Sequence, residues 1–317
     1  MNAPSNLARK AIRLAHGLVD SLVLAGILGL LGFAGYSLWD SHQVYQAAED
    51  TQYATYKPTT AGRDSFAALQ AINPEVIAWL TVYGTHIDYP VTQADNNLKY
   101  INTSAEGTYS LSGAIFLDSA NAADFSDFAN IVYGHHMAGD AMFGDIGQFA
   151  DQGFFESHRY GSLWVDGQLL GLDFFAFIHD DAYDESVYRP GTVDPAARQA
   201  YLASLTHLSV QDRTTVAVTP ADRIVLLSTC SAGTTNGRDI LVGKITAAAQ
   251  SDPFATAGPD TPAGLPDRAG LAQLWSRAPW WQQTAAVGLP GLAVALAVVL
   301  LVRRRRRARP ARYAMKG

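Results

Sequence analysis

One cysteine, Cys230, serves all 317 residues, so the chain forms no internal disulfide and supports neither CxxC redox chemistry nor a multi-cysteine zinc site. No G-x-S-x-G, H-E-x-x-H or G-x-G-x-x-G occurs. Gly237 to Lys244 resembles a phosphate loop, but its spacing is one too long and Ile245 stands where Ser or Thr is required. No internal repeat appears, which removes solenoid folds. Acidic residues are almost missing from both ends: 28 of the 29 fall within residues 40–283, and only Asp20 lies outside. Basic residues do the opposite. Arg9, Lys10 and Arg13 sit near the start, and Arg303 to Arg307, Arg309, Arg312 and Lys316 near the end, leaving 12 of 23 between. The net charge of −6 therefore hides basic ends around an acidic middle.

Charge is also missing from two long runs, residues 21–39 and 284–302. At 1.5 Å per residue each helix would span about 29 Å, close to the roughly 30 Å hydrocarbon core of a bilayer. Basic residues flank the outer end of each run, so the positive-inside rule predicts both termini in the cytoplasm and the middle outside. The membrane explains the basic tail, and nothing suggests nucleic-acid binding. The first run exceeds the usual signal-peptide core of about 7–15 residues and no A-x-A-like site follows closely, which favours an uncleaved anchor. Gly288, Pro290 and Gly291 lie in the second run, as membrane helices tolerate.

The middle divides into a stalk or short helix at 40–63, a domain at 64–248, and a linker at 249–283 rich in Pro, Gly and Ala. Within 64–248, Phe66, Leu69 and Ile72 have helical spacing. Short apolar runs separated by turn residues follow: 77–82, 86–91, 113–117, 131–133, 162–165, 169–178, 215–218, 224–229 and 240–245. Asp166-Gly167 predicts a type I′ hairpin. Two helical insertions are expected, one over 142–158 and one over 196–208, where Asp194 caps and Pro195 takes the first turn. Many short strands with few helices predict a mainly β fold, a closed barrel, with ample length for one core.

The chemistry-bearing residues stand at strand ends. Ile224 to Cys230 is an apolar run that ends in the thiol, Asn130 to Tyr133 breaks at Gly134 into His135-His136, and Arg238 opens the run after the cysteine loop. A free cysteine is often just a small buried hydrophobe. A thiol with a pKa near 8.5 is only about 3% thiolate at pH 7, so a nucleophile needs a base or cation nearby. Histidine can take and return a proton near neutrality, and arginine can hold an oxyanion or carboxyl group. His135 and His136 point apart on a strand, which makes joint metal ligation unfavourable, and His136 reads as structural.

Tyr133-Gly134-His135-His136-Met137, Leu227-Ser228-Thr229-Cys230 and Arg238 resemble the sortase active site. The doubled histidine, Met142 to Asp145, Asn73 to Leu80 and Gly84 to Val91 are similar to class B sortases in particular, over residues 64–248. Leu226 departs from the threonine more usual there. The resemblance implies a sortase-type β-barrel with a few helical insertions, here flanked by two transmembrane helices. It implies a cysteine transpeptidase with Cys230 as nucleophile, His135 as acid and base, and Arg238 as oxyanion and substrate holder, with no metal or cofactor. Ser228, Thr229, Asn97 and Tyr100 are expected substrate contacts. The implied partners are surface proteins with a C-terminal sorting signal, and an amine of the cell wall or of a pilin lysine. Two other readings stand beside this one. A wall-anchored substrate would need a Leu-Pro-x-Thr-Gly motif, which Leu265 to Ala269 fails at its last two positions. A membrane-tethered barrel that only binds peptide would place Cys230 and His135 out of reach of each other.

Overall fold

The computed structural model describes residues 6–46, 48–58, 64–182, 184, 186–190, 194–230 and 236–255. Contacts divide these into a helical unit ending at His42 and a body beginning at Gln43. The helical unit belongs to α1 (Asn6–Gln46), whose stretch Lys10–Ser41 holds an 18-residue window with a mean hydropathy of 2.0 and is long and apolar enough to cross a membrane. The helix extends well past the expected 21–39 run, because no proline interrupts it. The second expected span, 284–302, lies outside the described residues, as do the tail after it and the linker beyond residue 255.

The body is a barrel of β1 (Val76–Val82), β2 (Asp88–Thr92), β3 (Ile115–Leu117), β4 (Ala129–Tyr133), β5 (Tyr160–Val165), β6 (Gln168–Asp181), β8 (Arg223–Cys230) and β9 (Gly237–Thr246). The order β5-β1-β2-β3-β4-β8-β9-β6 closes through a β5–β6 pairing, and β7 (Ser209–Asp212) adds to β6 outside the closed ring. The expected hairpin joins β5 to β6, with Asp166 and Gly167 at φ 50° and 75°, the left-handed pair a type I′ turn demands.

Both faces of the β8 and β9 region are covered, which is why these strands read as unbroken apolar runs. Val225, Leu227 and Leu241 join the large core with Phe143, Phe149 and Phe174. Alternate residues Ile224, Leu226, Ile240 and Val242 turn to a second cluster under α4 (Pro195–Leu208), with Tyr201, Leu202 and Leu205. Asp194 caps α4 by accepting from the Ala196 N–H, as its sequence predicts.

Three expectations change. The 142–158 insertion is not one helix: a 3-10 turn (Gly144–Ala150) ends where Asp151 accepts from the Phe154 N–H and starts α3 (Gln152–Ser157). The 215–218 run is not a strand. Val216 and Val218 pack against the α4 cluster from a loop, and the short strand added to β6 outside the ring is β7, directly after α4 in the chain. The run at 113–117 begins pairing only at Ile115, because Gly113 has a φ of 60°. The expected helix over Phe66, Leu69 and Ile72 is α2 (Asp64–Ile72), whose Phe66 and Leu69 join the large core, and residues 48–58, within the expected stalk, pack on the barrel. Tyr53 is buried, the Tyr89 hydroxyl donates to the Ala48 carbonyl at 2.8 Å, and Lys57 pairs with Asp88 at 2.7 Å.

Candidate active site

Strand register gathers the predicted chemistry. In the antiparallel β8–β9 pair, Cys230 and Arg238 are direct partners, and Arg238 also faces Asp180 of β6 on its other side. The β4–β8 pair is parallel and sets Tyr133 beside Ser228. The Gly134 N–H donates to the Ser228 carbonyl at 3.2 Å, so the chain continues alongside β8 as it enters His135. The backbones of Cys230, His135 and Arg238 thus meet at one rim of the barrel. Gly134 is required there. A Cβ at that position would lie 2.7 Å from the buried ring of Phe143.

His135 is half-buried, and its Nε2 lies 2.9 Å from the Ile101 carbonyl. His136 turns elsewhere: it bridges to Met142, and its buried Nδ1 has no partner among the described residues. Arg238 is half-buried, and its Nη1 donates to the Gly237 carbonyl. Burial raises the pKa of Asp180 opposite it from its ordinary value, with the Asp181 backbone N–H opposing and the Asp184 and Asp181 charges assisting.

The expected substrate contacts divide. Ser228 is buried and its Oγ lies 2.9 Å from the Tyr188 hydroxyl. The Tyr188 ring stacks on Tyr133, with centroids 6.3 Å apart. Thr229 is also buried, and its Oγ1 has no partner among the described residues. Half-buried Asn97 donates to Asp118 and accepts from the Ser119 N–H. The same Asp118 oxygen accepts from the Tyr133 hydroxyl, and burial together with this carboxylate pushes the Tyr133 phenol far above its usual range. Tyr100 departs from expectation. It is 1% exposed, its hydroxyl donates to Glu75 and accepts from Asn73, and it anchors a loop instead of lining a groove. Tyr188 lies in a polar connection where no periodicity marks it in the sequence.

His86, Asp140 and Asp145 each bring one ligand atom within 4.8 Å of the others. Local bonds account for the arrangement: Asp145 accepts from the His86 N–H, the His86 ring and the Gln148 amide. The hydrogen bond to Asp145 raises the His86 pKa, with burial opposing it and the Asp145 charge assisting. A raised folded-state pKa stabilises the fold fully below the ordinary histidine value of 6.5, and that contribution is lost as pH rises through the folded value. His86 is about half exposed, so the contribution is small. Melting temperature is expected to fall modestly as pH rises from about 6.5 to 8. His86→Gln should flatten that slope, and an unchanged slope would remove the pair as its source.

No family model matches the chain. A sortase B from a type II pilus of Streptococcus pneumoniae is 46% identical, with a TM-score of 0.51, covering 57% of this chain and 98% of that one. Sortase B of Listeria monocytogenes is 29% identical over 238 residues, which cover 71% of this chain and 94% of the relative. The chain belongs to the class B sortases. A Staphylococcus aureus sortase B–substrate complex has the same fold at 27% identity and a TM-score of 0.59, covering 65% of this chain and 98% of that one. This class B sortase is accordingly a cysteine transpeptidase.

Proposed function

We propose that this sortase is membrane-anchored and cleaves a C-terminal sorting signal of surface proteins, using Cys230, His135 and Arg238. The observation that carries the reading is the register of β4, β8 and β9, which brings these three residues to one rim. The Cys230 sulfur attacks the carbonyl of the scissile peptide. Arg238 and the backbone N–H after Cys230 receive the charge that develops on its oxygen. His135 gives a proton to the leaving amine, and a thioacyl-enzyme remains. An incoming amine then loses a proton to His135, attacks the thioester, and restores the thiol. The acceptor is an amine of the cell-wall peptide or of a pilin lysine. Similarity to a pilus-associated sortase B supports the pilin arm.

α1 is long and apolar enough to anchor the chain, with Arg9, Lys10 and Arg13 at its cytoplasmic end. The catalytic body then lies outside the cell, and the 284–302 run serves as a second anchor with a cytoplasmic basic tail.

The test incubates the full-length chain in detergent with a panel of sorting-motif peptides, with and without an amine acceptor, followed by mass spectrometry. The expected result is a peptide mass added at Cys230 that disappears when amine is supplied, with an amide product in its place. A folded protein that binds these peptides and never acquires the adduct would favour the peptide-binding reading.

A further inference from the structure

The His135 ring bonds to a backbone carbonyl, and a carbonyl oxygen only accepts. The 2.9 Å contact with Ile101 therefore requires the proton on Nε2, and the neutral ring keeps its lone pair on Nδ1.

The carbonyl is held from several sides. Tyr100, next to it, is buried, with its hydroxyl 2.6 Å from Glu75 Oε2 and 2.8 Å from Asn73 Nδ2. The Tyr100 carbonyl accepts from the Ala114 N–H at 2.9 Å, and the Ile101 N–H donates to Leu98. Gly113 presses against the same two peptides. A Cβ there would lie 2.6 Å from the Ile101 oxygen and closer still to that of Tyr100, on a backbone whose φ of 60° already disfavours other residues.

We propose that the Ile101 carbonyl orients the catalytic imidazole, as a side-chain acceptor does in a hydrolase triad, and makes Nδ1 the nitrogen that transfers protons. Tyr100 and Gly113 are its positioning residues. This rests on the reading of His135 as acid and base. Nδ1 takes the thiol proton as sulfur bonds to the carbonyl carbon. It delivers that proton to the leaving nitrogen as the C–N bond breaks. It takes one proton from the incoming amine as the new C–N bond forms, and returns it to sulfur as the C–S bond breaks. Nε2 keeps its proton on Ile101 throughout.

Nitrogen-15 NMR of the full-length chain in detergent, histidine-labelled and with His135 assigned by its loss in His135→Gln, reads the tautomer without any activity. The expected neutral form has Nε2 protonated and Nδ1 bare. A neutral ring protonated on Nδ1 overturns the proposal. Gly113→Ala is expected to mix the tautomers and lower kcat about 10–100-fold while KM stays within about twofold. Tyr100→Phe, the milder change, is expected to lower kcat about 3–10-fold. Wild-type kcat in both variants, each shown to be folded, also overturns it. Full activity of His135→Gln would instead overturn the acid–base reading, whatever the tautomer.

Discussion

Cys230→Ala is expected to lower transpeptidation by on the order of 10⁴-fold or more, and to abolish the covalent adduct altogether. Alanine leaves no atom able to form the thioacyl bond, so the two-step route closes and only residual binding effects remain. His135→Ala should fall nearly as far, and the double variant little further, because nucleophile and base act as one unit. Arg238→Lys tests a different role. Lysine retains the charge but not the planar fork that holds an oxyanion or carboxyl group with paired donors. Losing one such donor costs about 10²–10³ in kcat, and the backbone N–H after Cys230 remains, so the effect should stay below that of the cysteine change. Single-turnover rates on one peptide separate the three. A Cys230→Ala enzyme that keeps even a tenth of the rate would refute the mechanism.

Phe174→Ala is expected to destabilise the body by about 3–5 kcal/mol. Phe174 is 0% exposed, and two neighbouring strands give up their side chains to receive its ring. A Cβ on Gly161 of β5 would lie 3.2 Å from the ring, and one on Gly243 of β9 would lie 2.9 Å away. Neither glycine can expand to refill the space, so truncation leaves a cavity. Gly243→Ala should do damage by the opposite route, overpacking the same site at about 1–3 kcal/mol. The pair Phe174→Ala with Gly243→Ala should then be less harmful than the sum. Urea denaturation checks all three, and strict additivity would show that ring and glycine do not share one cavity.

The parts of the fold legible in the sequence were those fixed by local chemistry. Asp166-Gly167 announced its hairpin because only such a pair adopts the required left-handed backbone. Asp194-Pro195 announced α4 through capping. Ile224 to Thr229 announced a strand buried on both faces. The rim residues were legible because each stands where an apolar run stops. What stayed hidden depends on partners distant in the chain. Tyr100 sits in a polar stretch that looks like a groove, yet Glu75 and Asn73, 25 and 27 residues earlier, turn its hydroxyl inward. The alternation at 215–218 is real, but loop packing satisfies it without a ladder. Tyr188 stacks on Tyr133 from 55 residues further along the chain, a contact no local pattern announces.

The parallel β4–β8 pairing has a consequence for when this enzyme becomes an enzyme. Asn130 of β4 finds its bond to Ile224 only across 94 positions of chain, and β8 must in turn await β9 to receive its antiparallel neighbour. Contacts so distant in sequence must close long loops before they are rewarded, which slows folding. The N-terminal hairpins can assemble while the remainder of the chain is still being made, but the rim that unites His135, Cys230 and Arg238 cannot. Reactive chemistry is therefore the last thing the nascent chain acquires, and a thiol emerging on its own meets no imidazole until the barrel is complete.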